Sequence, residues 1–180
     1  MSDLTRRQVF RKLLPDTQDN DDRAAAHELA PQRRPPGALS ERDFLSTCTR
    51  CGKCAEACPE SAIFAFAEGT GVLARTPVLL PEQRPCTMCA GFPCTHACED
   101  GALRPFDGRT WRLGRVQIRT EHCLAHQGPE CGACVGLCPN EIIGITLTAW
   151  KPQVTDACIG CARCIPACPT SPPAIELPPL

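Results

Sequence analysis

The stretch CTRCGKCAEACP, running from Cys48 to Pro59, decides the fold. Cys48, Cys51, Cys54 and Cys58 stand in the spacing C-x2-C-x2-C-x3-C, and Pro59 follows. Four thiolates so spaced, with proline next, form the bacterial run that holds a [4Fe–4S] cluster. The first three sit on a short loop that wraps three corners of a small cube. The fourth lies further on, and in two-cluster proteins it ligates the other cluster. Pro59 biases Cys58 toward an extended backbone and away from a continuing helix.

The run recurs. Cys158, Cys161, Cys164 and Cys168, with Pro169, repeat it at identical spacing. Two variants lie between. Cys86, Cys89, Cys94 and Cys98 carry two extra residues before the third cysteine, and Cys123, Cys131, Cys134 and Cys138 carry five extra after the first. The four groups use all 16 cysteines. An internal repeat of this kind outranks any reading of single segments.

Composition points the same way. In 180 residues aromatics are 4%, Tyr is absent, and Pro (19) and Gly (13) are abundant. Such a chain has little material for long helices or a large side-chain core, so it needs staples. We expect four [4Fe–4S] clusters to be those staples, with folding coupled to their binding. Disulfides would need an oxidising compartment, and the Cys-x2-Cys grouping suits metal better. Zinc takes tetrahedral sets drawn from two separated pairs, whereas three cysteines within seven residues suit a cube. A cysteine-ligated oxidised cluster carries about −2, so four bring the formal charge of −1 to near −9. That balance disfavours nucleic acid and favours a redox protein partner with basic patches.

Residues 1–37 read as a flexible arm, basic and then acidic. Arg6–Arg7 resembles a twin-arginine export signal. The apolar stretch such a signal needs is replaced by Leu13–Leu14–Pro15 and the polar run DTQDNDD. A short amphipathic helix bearing Val9, Phe10, Leu13 and Leu14, which would bind a partner, and a frayed basic terminus with no role are the other readings. No segment is long and apolar enough to span a membrane.

Ser40 with Asp43 forms a helix cap before DFLSTC. The cysteine groups are then separated by short extended runs: Ala62–Phe66, Val72–Leu80 broken at Thr76–Pro77, Gly101–Phe106 returning through an Asp107–Gly108 turn to Arg109–Thr120, Ile142–Thr148, and Ala174–Leu177. The pattern predicts an α+β, ferredoxin-like fold of two pseudo-symmetric 2[4Fe–4S] modules with short β-hairpins and cysteine loops, over residues 38–112 and 113–180. Two pairings of the groups are open: first with second and third with fourth, or first with fourth and second with third. Sequential pairing is favoured, because Arg115–Thr120 and Ala174–Leu177 supply flanking strands for the last two groups. Cys58 then crosses to the site of Cys86, Cys89 and Cys94, while Cys98 crosses back. Cys138 and Cys168 cross likewise.

With all four groups in view, the chain resembles the NapF/NapG/MauM ferredoxin-type family of periplasmic nitrate reductase systems. The resemblance rests on RPPGALSERDFLSTCTRCGKCAEACP, RPCTMCAGFPCTHAC and CLAHQGPECGACVGLCP, from about Arg34 to Leu180. One departure is Glu99 after Cys98, where proline is usual. The chain is nearer the NapF branch in its shortness and its missing apolar signal region. That resemblance implies a cytoplasmic iron–sulfur accessory that contacts the nitrate reductase catalytic subunit before export.

No catalytic set emerges, so an enzyme is not expected. His96, His122 and His126 lie among the cysteines but each group already has four thiols. Met88 reads as packing. Arg104, Arg109, Arg112, Arg115 and Arg119 make a basic segment, read as a solvated face, a docking patch or local compensation of cluster charge. Two functions remain: an accessory that supports maturation of an oxidoreductase, or an electron relay passing single electrons between partners.

Overall fold

The computed structural model describes residues 31–105, 111–128 and 130–180. The arm up to residue 30, the Asp107–Gly108 turn and Arg109 lie outside the described residues. The compact unit begins at Pro31, upstream of the module start expected at residue 38.

Residues 31–37 are packed. Pro35 and Pro36 are fully buried, and Arg34 is 6% exposed. Arg34 clasps Glu41 (Nη2–Oε1 2.5 Å) and donates to the Thr76 hydroxyl at 2.9 Å and the Pro77 carbonyl at 2.7 Å. Its guanidinium stacks 4.5 Å from the Phe44 ring centroid. Arg33 donates to the carbonyls of Leu177 and Pro178, tying this segment to the C-terminal tail.

Helix α1 spans Glu41–Thr47, capped by Ser40, whose side chain accepts from the Asp43 N–H. This is the cap expected from the sequence. Phe44, on its inner face, is completely buried. Three four-residue helices each lie within a cysteine group: α2 (Lys53–Glu56), α3 (Pro93–His96) and α4 (Leu124–Gln127).

The strands are short and pair in twos. β1 (Ile63–Ala65) and β2 (Pro77–Leu79) form an antiparallel hairpin between the first two groups, Phe64 opposite Val78. β4 (Ile145–Thr148) and β5 (Lys151–Val154) form another between the last two, Thr146 opposite Gln153. β3 (Gln117–Ile118) pairs with β6 (Ile175–Glu176) across the ends of the last two groups, as expected of the strands flanking them. In the first half a single bridge, Ala38 with Leu103, occupies the equivalent place.

Two expectations need correction. Val72 and Leu73 are not extended but lie in a 3-10 turn, Gly71–Leu73, so the strand starts at Pro77. Pro77 fits there because it opens a strand in a two-stranded sheet. The described part of Gly101–Phe106 pairs upstream with Ala38, and Arg104 N–H donates to the Gly37 carbonyl at 2.8 Å. Gly37 sits at φ +76, and a Cβ there would lie 2.1 Å from the Arg104 oxygen. Only glycine allows that approach.

The buried side chains form three groups. The largest holds Phe44, Ile63, Leu79, Met88 and Leu103 together with Cys54, Cys86 and Cys94, and it also takes in Leu113, Ile159 and Cys161 from beyond the 112/113 boundary. The second holds Val116, Ile145, Ile165, Ile175 and Leu177 with Cys134, Cys158 and Cys164. The third is small: Cys123, Ala125 and Ala174, with Cys131 and Cys168 against them.

Candidate iron–sulfur sites

The cysteine loops share a backbone device. The residue before the second cysteine has positive φ in three groups: Arg50 (61), Met88 (51) and Gly160 (72). Positive φ recurs one residue after it at Gly52 and Ala162, and two residues after it at Gly91. Left-handed residues on both sides of a cysteine reverse the chain tightly, which gathers the first three thiols on the inside of the loop. Beyond the fourth cysteine the chain turns again. The N–H of Ser61 donates to the Cys58 carbonyl at 3.1 Å, and that of Gly101 to the Cys98 carbonyl at 3.2 Å. The turn after Cys98 therefore forms with Glu99 in the usual proline position, and Glu99 instead pairs with Lys53 at 2.7 Å.

The thiols converge in sets of four, each made of three from one group and the last from another. Cys48, Cys51, Cys54 and Cys98 line one cavity of ≈ 480 Å³, open mouth included. Cys123, Cys131, Cys134 and Cys168 line another of ≈ 340 Å³. Cys138, Cys158, Cys161 and Cys164 line a third of ≈ 300 Å³. The fourth set is Cys58 with Cys86, Cys89 and Cys94, whose thiols are mutual electrostatic neighbours. These juxtapositions follow the sequential pairing, not the nested one. The Thr49 hydroxyl donates to Asp100 at 2.6 Å, holding the Cys98 turn against the first loop.

The donor sets fit a cluster. Among the described residues no three His, Cys, Asp or Glu side chains gather as a single metal ion requires. The thiols instead rim cavities with apolar walls such as Phe44, Ala102 and Leu103, or Ile118 and Ile175. Backbone N–H groups aim at the crossing sulfurs: Ala62 at Cys58 (3.4 Å), Leu103 at Cys98 (3.3 Å) and Ala174 at Cys168 (3.3 Å). Such donors stabilise thiolate and tune the potential of an iron–sulfur centre.

Burial pushes the inner thiols up, Cys54, Cys86 and Cys134 to about 11 and Cys94 and Cys164 to about 12, with neighbouring thiolates adding to it. These thiols are protonated near neutrality in the cluster-free chain, so loading expels protons and weakens as pH falls. Cys168 runs the other way. Burial raises it, but the Thr170 hydroxyl and the N–H groups of Thr170, Ala174 and Ile175 together bring it below the ordinary thiol value.

The bystanders take ordinary places. His96 and His122 are exposed, and His126 faces the Pro152 carbonyl at 3.4 Å through Nε2. Met88 is buried packing, 3% exposed. In the basic segment, Arg112 donates to the carbonyls of Asp156 and Cys158, Arg115 to Asp156 and Val154, and Arg119 to Pro173. These three latch the chain around the fourth group, with Arg112 and Arg115 still exposed. Sequence reasoning missed Arg34, placed in the flexible arm. Its only signal is a position ten residues before Phe44, too remote for local periodicity to report.

The comparisons with known proteins agree with this chemistry. Residues 44–64 and residues 155–171 each match a family model described as a 4Fe-4S binding domain. The chain is 36% identical over 163 residues to "Ferredoxin-type protein NapG" of Escherichia coli K12, covering 82% of this chain and 70% of that one. It is 37% identical over 156 residues to the "Methylamine utilization ferredoxin-type protein MauM" of Methylobacillus flagellatus (80% and 67%). It is 34% identical over 142 residues to "Ferredoxin-type protein NapF" of Escherichia coli K12 (77% and 80%). These identities do not single out the NapF branch. No solved structure matches. With ferredoxin loops at both ends and relatives along most of its length, the chain belongs to the NapF/NapG/MauM family of ferredoxin-type proteins and carries multiple [4Fe–4S] clusters.

Proposed function

We propose that the chain is a four-cluster electron relay, passing single electrons between a donor and an acceptor protein. The observation that carries this is the division of all 16 cysteines into four convergent sets, with no thiol left for another task. The sets we assign are Cys48, Cys51, Cys54 and Cys98; Cys58, Cys86, Cys89 and Cys94; Cys138, Cys158, Cys161 and Cys164; and Cys123, Cys131, Cys134 and Cys168. Exchange of the fourth cysteines divides the molecule into two pseudo-symmetric two-site modules. A bound [4Fe–4S] cluster supplies a one-electron couple. The chain's residues would hold it between apolar walls and donate N–H groups to the crossing ligands. Relatives bear ferredoxin-type names, which supports a carrier and not an enzyme.

Anaerobic analysis should find about 16 iron and 16 acid-labile sulfide per chain, with electron paramagnetic resonance of the reduced protein showing coupled neighbours. A zinc-loaded, colourless protein from anaerobic culture would end this reading. The cytoplasmic accessory role toward a nitrate reductase catalytic subunit is the second reading, supported by the match over 80% of NapF. It predicts that removing residues 1–30 spares the clusters and abolishes partner maturation. The truncation must stop there, because Arg33 and Arg34 belong to the packed unit. Unimpaired maturation by the truncated protein would remove the arm from the account.

A further inference from the structure

The four sets do not lie in chain order. The core that holds Cys54, Cys86, Cys94 and Met88 also holds Ile159 and Cys161 of the fourth group. No cysteine of the third group's own loop belongs to it; Cys134 shares its core with Cys158 and Cys164, while Cys123, Cys131 and Cys168 lie in a separate small one. The seam between second and fourth sets is bonded. Asn140, two residues past Cys138, donates its amide to the Met88 carbonyl at 3.3 Å, and Met88 lies between Cys86 and Cys89. The Leu113 N–H donates to the Ile159 carbonyl at 2.8 Å, and Leu113 is itself part of the first core. Gly160 is pressed so closely on Gly114 that a Cβ would lie 2.7 Å from its backbone oxygen.

We propose that the sites form one unbranched series in the order first, second, fourth, third, joined in the middle by the Met88–Asn140 and Leu113–Ile159 contacts, so that the first and third sites are its two ends. The order rests on the electron-relay reading and deepens it. Exposure marks the first end: Cys51, in the first site, is the one exposed cysteine of the 16, whereas in the fourth site Cys158, Cys161 and Cys164 are buried and Cys138 is half-buried; the second and third sites each hold two buried and two half-buried thiols. A one-electron donor protein therefore meets one end and a one-electron acceptor the other. Each electron entering is matched by one leaving, and no atom or proton moves.

Two alanine variants of the anaerobic, fully reduced holoprotein test the order by paramagnetic resonance. Cys138→Ala removes a ligand of the fourth site, and Cys131→Ala one of the third. Each should retain about three quarters of the iron. Loss of the fourth site should leave the third as an isolated, unsplit signal beside a coupled first and second. Loss of the third should leave the other three coupled, with no isolated signal. The reverse pattern, an isolated signal on loss of the third site, overturns the order. If either variant loses more than its own site, iron anomalous scattering from crystals of the intact holoprotein decides. Iron centres with the second nearer the fourth than the third support the series, and the opposite defeats it. Four centres in another order sink the series alone, while fewer than four sink the relay reading with it.

Discussion

The first half of the described molecule, residues 31–105, and the second, residues 111–180, hold the same kind of site in different ways. Every side chain among the largest fully buried ones lies in the first half: Phe44, Leu79, Leu103, Thr76, Thr95, Pro35, Pro36 and Pro81. Helix α1 and the Arg34–Glu41 clasp close the first site from outside. The second half has no helix longer than the four residues of α4 among those described, and its core is split in two. Its large apolar side chains are often left out, with Ile143 at 65% and Trp150 at 70% exposure. A half that buries little of its own apolar surface depends on its inorganic staples. The first half has a side-chain core that can outlast them.

The largest expected effect follows from that contrast. Stripping the iron by anaerobic chelation should remove most hydrogen-exchange protection from β3, β4, β5 and β6. The Ala38–Leu103 bridge and the β1–β2 hairpin should keep at least about tenfold more, equal to about 1.4 kcal/mol of opening free energy. Equal loss in both halves would show that the first core gives no independent support.

Within the first half, Arg34→Ala should be the most damaging surface-remote change. It leaves the largely buried Glu41 carboxylate without its cation, with only the Gln32 N–H still donating to it at 3.4 Å, and removes the cover over Phe44. Breaking a buried pair on one side costs about 3–5 kcal/mol. Phe44→Ala should cost about 3–5 kcal/mol by opening a cavity beside the first site. The two side chains touch, so their effects should not add. Denaturation of the anaerobic holoprotein measures all three variants, and simple additivity would separate the clasp from the ring. In the second half Gly160→Ala should cost about 1–3 kcal/mol, from a side chain forced to positive φ and toward the Gly114 backbone. A neutral result would mean that the seam yields.

These contrasts mark what the sequence could and could not tell. Spacing alone located the four cysteine groups, because three thiols on a tight loop are a local pattern. The crossing of Cys58 and Cys98 belonged to the favoured of two pairings that the repeat left open. The β3–β6 pairing was legible in the runs Arg115–Thr120 and Ala174–Leu177 that flank the last two groups. What escaped was non-local. Arg34 gains its meaning from Glu41, Phe44 and Thr76, which no spacing rule connects. The strand partner of Leu103 is Ala38, 65 residues upstream, and no turn signal points so far. The order of the sites depends on Cys161 lodging in the first core, a packing fact without a motif. The β4–β5 hairpin was half-seen, since its turn carries neither Asn nor Gly.

That turn gives the smallest effect and the finest test of the second half. Thr148 faces Lys151 across a two-residue loop, Ala149–Trp150, and both loop residues have positive φ, 49 and 65. Two-residue loops of this form favour Asn-Gly because other side chains are crowded there. A non-glycine residue in this region gives up about 1–2 kcal/mol. Trp150 regains little of it by packing, being 70% exposed. Trp150→Gly should therefore stabilise the hairpin by about 1 kcal/mol, slowing exchange of its strand amides about fivefold without changing iron content. Faster exchange in the variant would mean that the indole holds the hairpin through contacts worth more than its strain. The second half would then carry more side-chain support than its buried residues suggest, and the contrast with the first half would narrow.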